Sequence, residues 1–164
     1  MTKKRKALLI ISFGSSYPDA RESIRNIASY IGDRYPEYDC FRAYTSRRII
    51  EKLAGRDGIH VETPAQALVR LQQDGYTHVL CQSLHVINGI EYEMTRDEIT
   101  QMRDRFESLT LGRPLLTGMD DYAYIADMYT HIAAQHDALL LMGHGTRHHS
   151  NAAYCMLEEY FRYR

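Results

Sequence analysis

The sequence predicts an α/β domain built on a mainly parallel sheet, and three observations carry that expectation. Short β-rich apolar runs alternate along the whole chain with longer segments whose apolar residues recur at helical spacing, the pattern of repeated βα units. Runs such as ALLIISF, residues 7–13, are continuous rather than alternating, as in strands covered by helices on both faces. The chain has 164 residues, 45% hydrophobic and 25% charged, which is enough for a real core within a globular fold.

Taken in order, residues 7–13 read as a first buried strand ending at Gly14. Residues 18–35 follow as a helix, with Pro18 and Asp19 as start signals and Ile24, Ile27, Ala28 and Ile31 on one face. A second strand is expected over 39–45 and a short helix over 46–55, stopped by Gly55. Residues 63–75 carry Thr63 as N-cap, Pro64 at the first helical position and Gly75 as a stop. A third strand over 76–84 leads to a charged amphipathic helix over 92–109. A fourth strand, interrupted by Gly112 and Pro114, spans 109–116. A helix over 120–136, a fifth strand over 137–143 and a last helix from 151 to 161 complete the chain.

Composition narrows the function classes. A net charge of -1 supplies no bulk basic field, so nucleic acid is not an expected partner. No apolar run approaches the ~20 residues that span a bilayer, so no membrane is expected either. The N-terminus has a basic start, but no small-residue cleavage site follows, and the apolar stretch reads as a strand rather than a signal peptide. Cys40, Cys81 and Cys155 are odd in number, widely spaced and lack a CxxC pattern. They read as buried thiols in a reducing, cytoplasmic setting. The 13 tyrosines suit half-buried surfaces better than a dedicated ligand wall.

The chain also echoes itself. Shifted by 131 residues, Ala7-Leu8-Leu9 meets Ala138-Leu139-Leu140, Gly14 meets Gly145, and Phe13 falls opposite His144. This suggests a first domain over 1–136 and the first strand and helix of a second, truncated one over 137–164. A lone strand and helix cannot bury their own apolar faces. The run ALLLM must then join the first sheet or pair with another copy, and a homo-oligomer, a dimer first of all, is expected.

Parallel sheets bind ligands beyond the carboxyl ends of their strands. The segments SFGSS, QSLHVINGIEYE and MGHGTRHH leave those ends with most of the useful chemistry. His144 lies between two glycines, where a large ligand can approach. Its imidazole suits a divalent transition metal or a proton. His148 and His149 are adjacent and are not both expected to face a cleft. His85, Glu91 and Glu93 lie around the turn-forming pair Asn88-Gly89. A carboxylate beside an imidazole suits a metal site or a proton relay, although first-turn helix charges explain the glutamates equally well. Ser12, Phe13, Gly14 and Ser15 form a strand-to-helix turn that could cradle an anion, but it lacks the lysine of a P-loop and a dinucleotide glycine pattern. Arg47 and Arg48 follow another strand end and could pair with ligand carboxylates. The GHG triplet is not a hydrolase elbow, so no nucleophile is expected.

The segments KALLIISFGSSYPDARE, FRAYTSRRIIEKL, RDGIHVETPAQAL, QSLHVINGIEYE and MGHGTRHHSNAAY, in that order, resemble the anaerobic CbiK-type cobalt chelatases of cobalamin biosynthesis. The resemblance implies two similar α/β domains around a cleft. It also implies insertion of Co2+ into sirohydrochlorin, a tetrapyrrole rich in carboxylates. His144 matches the family's metal ligand and proton acceptor, Glu91 its metal-site glutamate, and His85 lies in the same region. Ser12, Phe13, Gly14, Ser15, Arg47, Ser83 and Asn88 are the expected substrate-binding groups. The divalent metal, Co2+ first of all, is a substrate, and no organic cofactor is expected. The family's second half has no counterpart here. The alternatives are therefore a non-catalytic metal- or tetrapyrrole-binding protein, or a chelatase for another ion such as iron or nickel.

Overall fold

A computed structural model describes residues 4–163. Its elements run β1 (Lys6–Ser12), α1 (Pro18–Gly32), β2 (Asp39–Tyr44), α2 (Arg47–Asp57), α3 (Pro64–Gln73), β3 (His78–Ser83), α4 (Ile90–Gln101), β4 (Ser108–Leu111), α5 (Met119–Ala133) and α6 (Ala152–Arg162). Single 3-10 turns occupy Arg103–Arg105 and His149–Asn151. The four strands form one sheet in the order β2-β1-β3-β4, and every pairing is parallel. The α/β, parallel-sheet expectation therefore holds.

β1 is central, and Ala7 through Ile11 are almost wholly buried. Its alternate side chains serve two cores. Ala7, Leu9 and Ile11 pack with Ala67, Leu68 and Leu71 of α3 and Ile99 of α4. Leu8 and Ile10 pack with Ala28 of α1 on the other face. Burial on both faces is why the strand reads as an unbroken apolar run. The chain leaves β1 toward β2 on one side and reaches β3 and β4 on the other. The order reverses between β1 and β3, the place where open α/β sheets bind ligands.

Local signals explain the helix ends. Thr63 Oγ1 accepts from the Gln66 N–H while Gln66 Oε1 accepts from the Thr63 N–H, a reciprocal cap ahead of Pro64. The stop expected at Gly55 is not observed. α2 runs through it and ends at Gly58, where φ is +64°, because a glycine ends a helix where the chain turns left-handed, and that turn comes three residues later. The expected fourth strand is shortened to Ser108–Leu111. Beyond Gly112 and Pro114 the chain pairs again only through the isolated bridge of Leu116 with Ile87.

The main departure is at 137–143, where the expected fifth strand is absent and the chain has no regular secondary structure. Leu140 is 86% and Met142 90% exposed. A strand exists only with a partner. Here α5 and α6 pack on each other through Tyr122, Ile125, Ala153 and Tyr160. The segment between them spans that link and does not lie beside β4. Gly14 and Gly145 both have positive φ, +89° and +70°, as do Gly58 and Gly75.

Candidate metal-handling site

His85 stands just past β3, on the β3 side of the switch between β1 and β3. The Leu84 N–H donates to the Ile11 carbonyl at 2.7 Å, tying this segment to the end of β1. The carbonyls of His85 and Val86 accept from the N–H groups of Leu115 and Leu116 at 3.1 and 2.7 Å. The segment is therefore clamped on both sides. Ser83 Oγ lies 2.8 Å from His85 Nδ1 and accepts from the His85 N–H at 3.1 Å. Burial holds the His85 imidazole below its ordinary pKa, and the nearby Glu91 carboxylate opposes this only in part. The ring is neutral at neutral pH for that reason. When its proton sits on Nδ1, donated to Ser83, the Nε2 lone pair is free.

That Nε2 has no hydrogen-bond partner although it is buried. Two other buried polar side-chain atoms among the described residues share the condition, Ser12 Oγ and Thr45 Oγ1. Ser12 ends β1, Thr45 follows β2 and His85 follows β3, so all three stand at the same carboxyl rim. Buried polar groups are normally satisfied, and three orphans along one rim mark a surface that a polar ligand would complete. Thr45 escaped the sequence reading. Its only signal is its place directly before Ser46, whose side chain caps α2.

The remaining expected residues divide. Glu91 sits half-buried in the first turn of α4, close enough to His85 to bear on its charge. Phe13 is 49% exposed at the rim. A Cβ on Gly14 would come within 2.5 Å of the Tyr44 ring, so the turn is shaped for glycine. Ser15 Oγ accepts from the Tyr17 N–H, a helix-entry role. Arg47 begins α2 exposed, as does Arg48. Ser83 is used in holding His85, and Asn88 Nδ2 donates to Thr117 Oγ1 at 3.2 Å, which fastens the loop. His144 is exposed, and no hydrogen bond or ion pair joins it to His85 or Glu91 among the described residues. His148 and His149, not expected to act together, have ring centroids 3.9 Å apart. His148 Nε2 is 3.4 Å from Glu93 Oε2. A cleft of about 490 Å3 lies elsewhere, along β2, lined by Arg21, Arg25, Arg42 and His60 among others.

A parallel α/β sheet whose ligand rim presents a neutral imidazole with a carboxylate nearby, and more histidines on an adjoining loop, has the ligand chemistry of a metal-handling α/β protein. Residues 6–164 match the family model described as cobalt chelatase (CbiK), and the chain belongs to that family. It is 44% identical over 160 residues to the sirohydrochlorin cobaltochelatase of Salmonella typhimurium, a match covering 94% of this chain and 60% of the relative. It is 33% identical, over 94% of this chain and 56% of the relative, to the sirohydrochlorin cobaltochelatase CbiKC of Nitratidesulfovibrio vulgaris. The chain thus spans less than two thirds of the length of these relatives.

Proposed function

We propose that this chain inserts Co2+ into sirohydrochlorin, the activity for which its relatives are named, as a step of anaerobic cobalamin biosynthesis. The observation that carries the proposal is the buried, unpartnered Nε2 of His85 beside Glu91 at the switch point of the sheet. Insertion requires two pyrrole N–H protons to leave as the ion enters, and a neutral imidazole can accept a proton or hold the ion. Glu91 balances the charge. His144, on its glycine-flanked loop, supplies the further metal ligand and base. Ser12, Ser15, Thr45 and Arg47, with the turn at Phe13 and Gly14, face the carboxylates of the macrocycle. The ion and the tetrapyrrole are both substrates, and the reaction needs no organic cofactor.

The proposal extends to organisation. Residues 1–136 form the first α/β unit, and 137–164 supply the first strand and helix of a second. The repeat of Ala7-Leu8-Leu9 at Ala138-Leu139-Leu140 and the exposed apolar run at 139–142 support this reading. A second copy of the chain covers that run and completes the cleft. The cysteines are free, in keeping with a cytoplasmic protein, and among the described residues no helix is long and apolar enough to cross a membrane.

The test is the visible absorbance of sirohydrochlorin with Co2+, with and without the purified chain, against the spontaneous rate. Acceleration with many turnovers per chain supports the proposal. A spectral shift without turnover refutes catalysis and leaves a tetrapyrrole-binding protein. Running Fe2+ and Ni2+ in parallel decides the metal.

A further inference from the structure

We propose that Glu93, His148 and His149 form a divalent transition-metal site of their own, distinct from the His85–Glu91 pair, that takes up Co2+ or a chemically similar ion such as Ni2+ or Zn2+. One donor atom from each residue lies within 4.8 Å of the other two. Two imidazoles and one carboxylate suit borderline divalent ions and leave coordination positions open. A site with open positions can release its ion to a second set of ligands.

The arrangement is built rather than incidental. Glu93 stands in the first turn of α4, its N–H donating to the Gly89 carbonyl. The histidine loop is fixed by its own hydrogen bonds. Thr146 Oγ1 accepts from the His148 N–H, Asn151 Oδ1 from the Thr146 N–H, and the His148 carbonyl from the Asn151 N–H. His148 Nδ1 lies 3.0 Å from Ser150 Oγ and accepts from the Ser150 N–H at 3.3 Å. Without an ion, that N–H contact places the ring proton on Nε2, facing Glu93 Oε2. An ion held on Nε2 would require the ring proton on Nδ1, where Ser150 Oγ at 3.0 Å could accept it in exchange for the Ser150 N–H contact. A metal-bound histidine normally makes such an outer hydrogen bond, and the partner is already in place.

A plain alternative is that Glu93 is a helix-dipole charge paired with His148. It leaves unexplained why the His149 ring is held 3.9 Å from that of His148 with its nitrogen in range of both donors. His149 is exposed, so an ion can arrive from solvent. Glu93 follows Glu91 on the same helical turn, and His148 follows His144 on the same loop. The role assigned to the site within the proposal is that of a loading post for the insertion groups. That role rests on the insertion proposal, whereas the site itself does not.

The experiment measures Co2+ binding alone, by calorimetry and by the visible spectrum of the bound ion, in the Glu91→Gln/His144→Ala chain. One Co2+ per chain is expected to remain. Adding Glu93→Gln, an isosteric change at a half-buried position, or His149→Ala, at an exposed one, each checked for folding by circular dichroism, is expected to weaken it by about tenfold or more, at least the cost of losing an outer-shell partner of a metal site. The proposal is overturned if the starting variant binds no Co2+, or if neither addition weakens binding to that extent. If Co2+ binds as expected but the unmodified chain fails to accelerate insertion, the site stands and the catalytic proposal falls.

Discussion

Replacing Gly14 by alanine should destabilise the chain through two separable effects. The backbone there has φ +89°, and an L-residue in the left-handed region costs about 1–2 kcal/mol. The new Cβ would also sit 2.5 and 2.6 Å from Tyr44 Cδ2 and Cγ, against about 3.5–4.0 Å for an ordinary carbon contact. The ring would have to retreat by about 1 Å, and Tyr44 is only 5% exposed, so overpacking adds about 1–3 kcal/mol. The total of about 2–5 kcal/mol corresponds to a fall in Tm of about 5–20 °C for a chain of this size. Gly58→Ala is the control, because φ is +64° there and nothing lies within 4 Å of the added carbon. It should cost only the backbone part, about 1–2 kcal/mol. In a Tyr44→Leu background, Gly14→Ala should fall to about the same value. The assay is urea unfolding of all four variants. If Gly14→Ala and Gly58→Ala are equal within about 0.5 kcal/mol, the ring does not press on Gly14 and the reasoning is wrong.

The remaining predictions concern the rim and the exposed run. Because burial lowers the His85 pKa, the unfolded chain takes up that proton at the higher pH. The stability due to the neutral ring is complete above about pH 6.5 and is lost as pH falls through the folded value. His85→Gln should flatten that acid limb of the stability profile, and an unchanged profile would show that His85 is not held neutral. His144→Ala should reduce Co2+ insertion by about a hundredfold or more, as loss of a proton-transfer group does, while leaving Tm within about 2 °C because the side chain is exposed; an unimpaired rate would remove His144 from its role. Leu140→Glu should shift the chain toward monomer in light scattering if a second copy covers 139–142, and no change in mass would sink that idea. Burial pushes the Cys81 thiol up to about 12, so thiol reagents should modify Cys40 and Cys155, both exposed, and reach Cys81 only on unfolding.

What the sequence made legible is what neighbouring residues decide. The start of α3 is written in Thr63, Pro64 and Gln66, and all three act as their local chemistry requires. β1 is recognisable because the whole run is buried on both faces. His85 and Glu91 were identifiable as neighbours of the Asn88-Gly89 turn. The neutral, unpartnered state of His85 was not, because it depends on strands and loops distant in sequence that enclose the ring. Likewise, nothing near Glu93 announces the two histidines. They reach it only because α6 docks on α5 and brings the preceding loop to the start of α4.

The run at 137–143 shows where the line falls. It repeats the composition of β1, and Gly145 has a positive φ as Gly14 does, although Gly58 and Gly75 share that feature without belonging to the repeat. The echo did not transmit membership of a sheet, because a strand's hydrogen bonds belong to two segments at once. β1 has β2 and β3 beside it from its own chain. The echo of β1 has none among the described residues, and its leucines face solvent. A pattern read along one chain can specify which residues would make a strand and which glycine would end it. Whether the strand forms depends on a partner edge. Among residues 4–163 the segment lies against neither edge strand, β2 or β4, and the Leu140→Glu experiment asks whether a second copy supplies the edge instead.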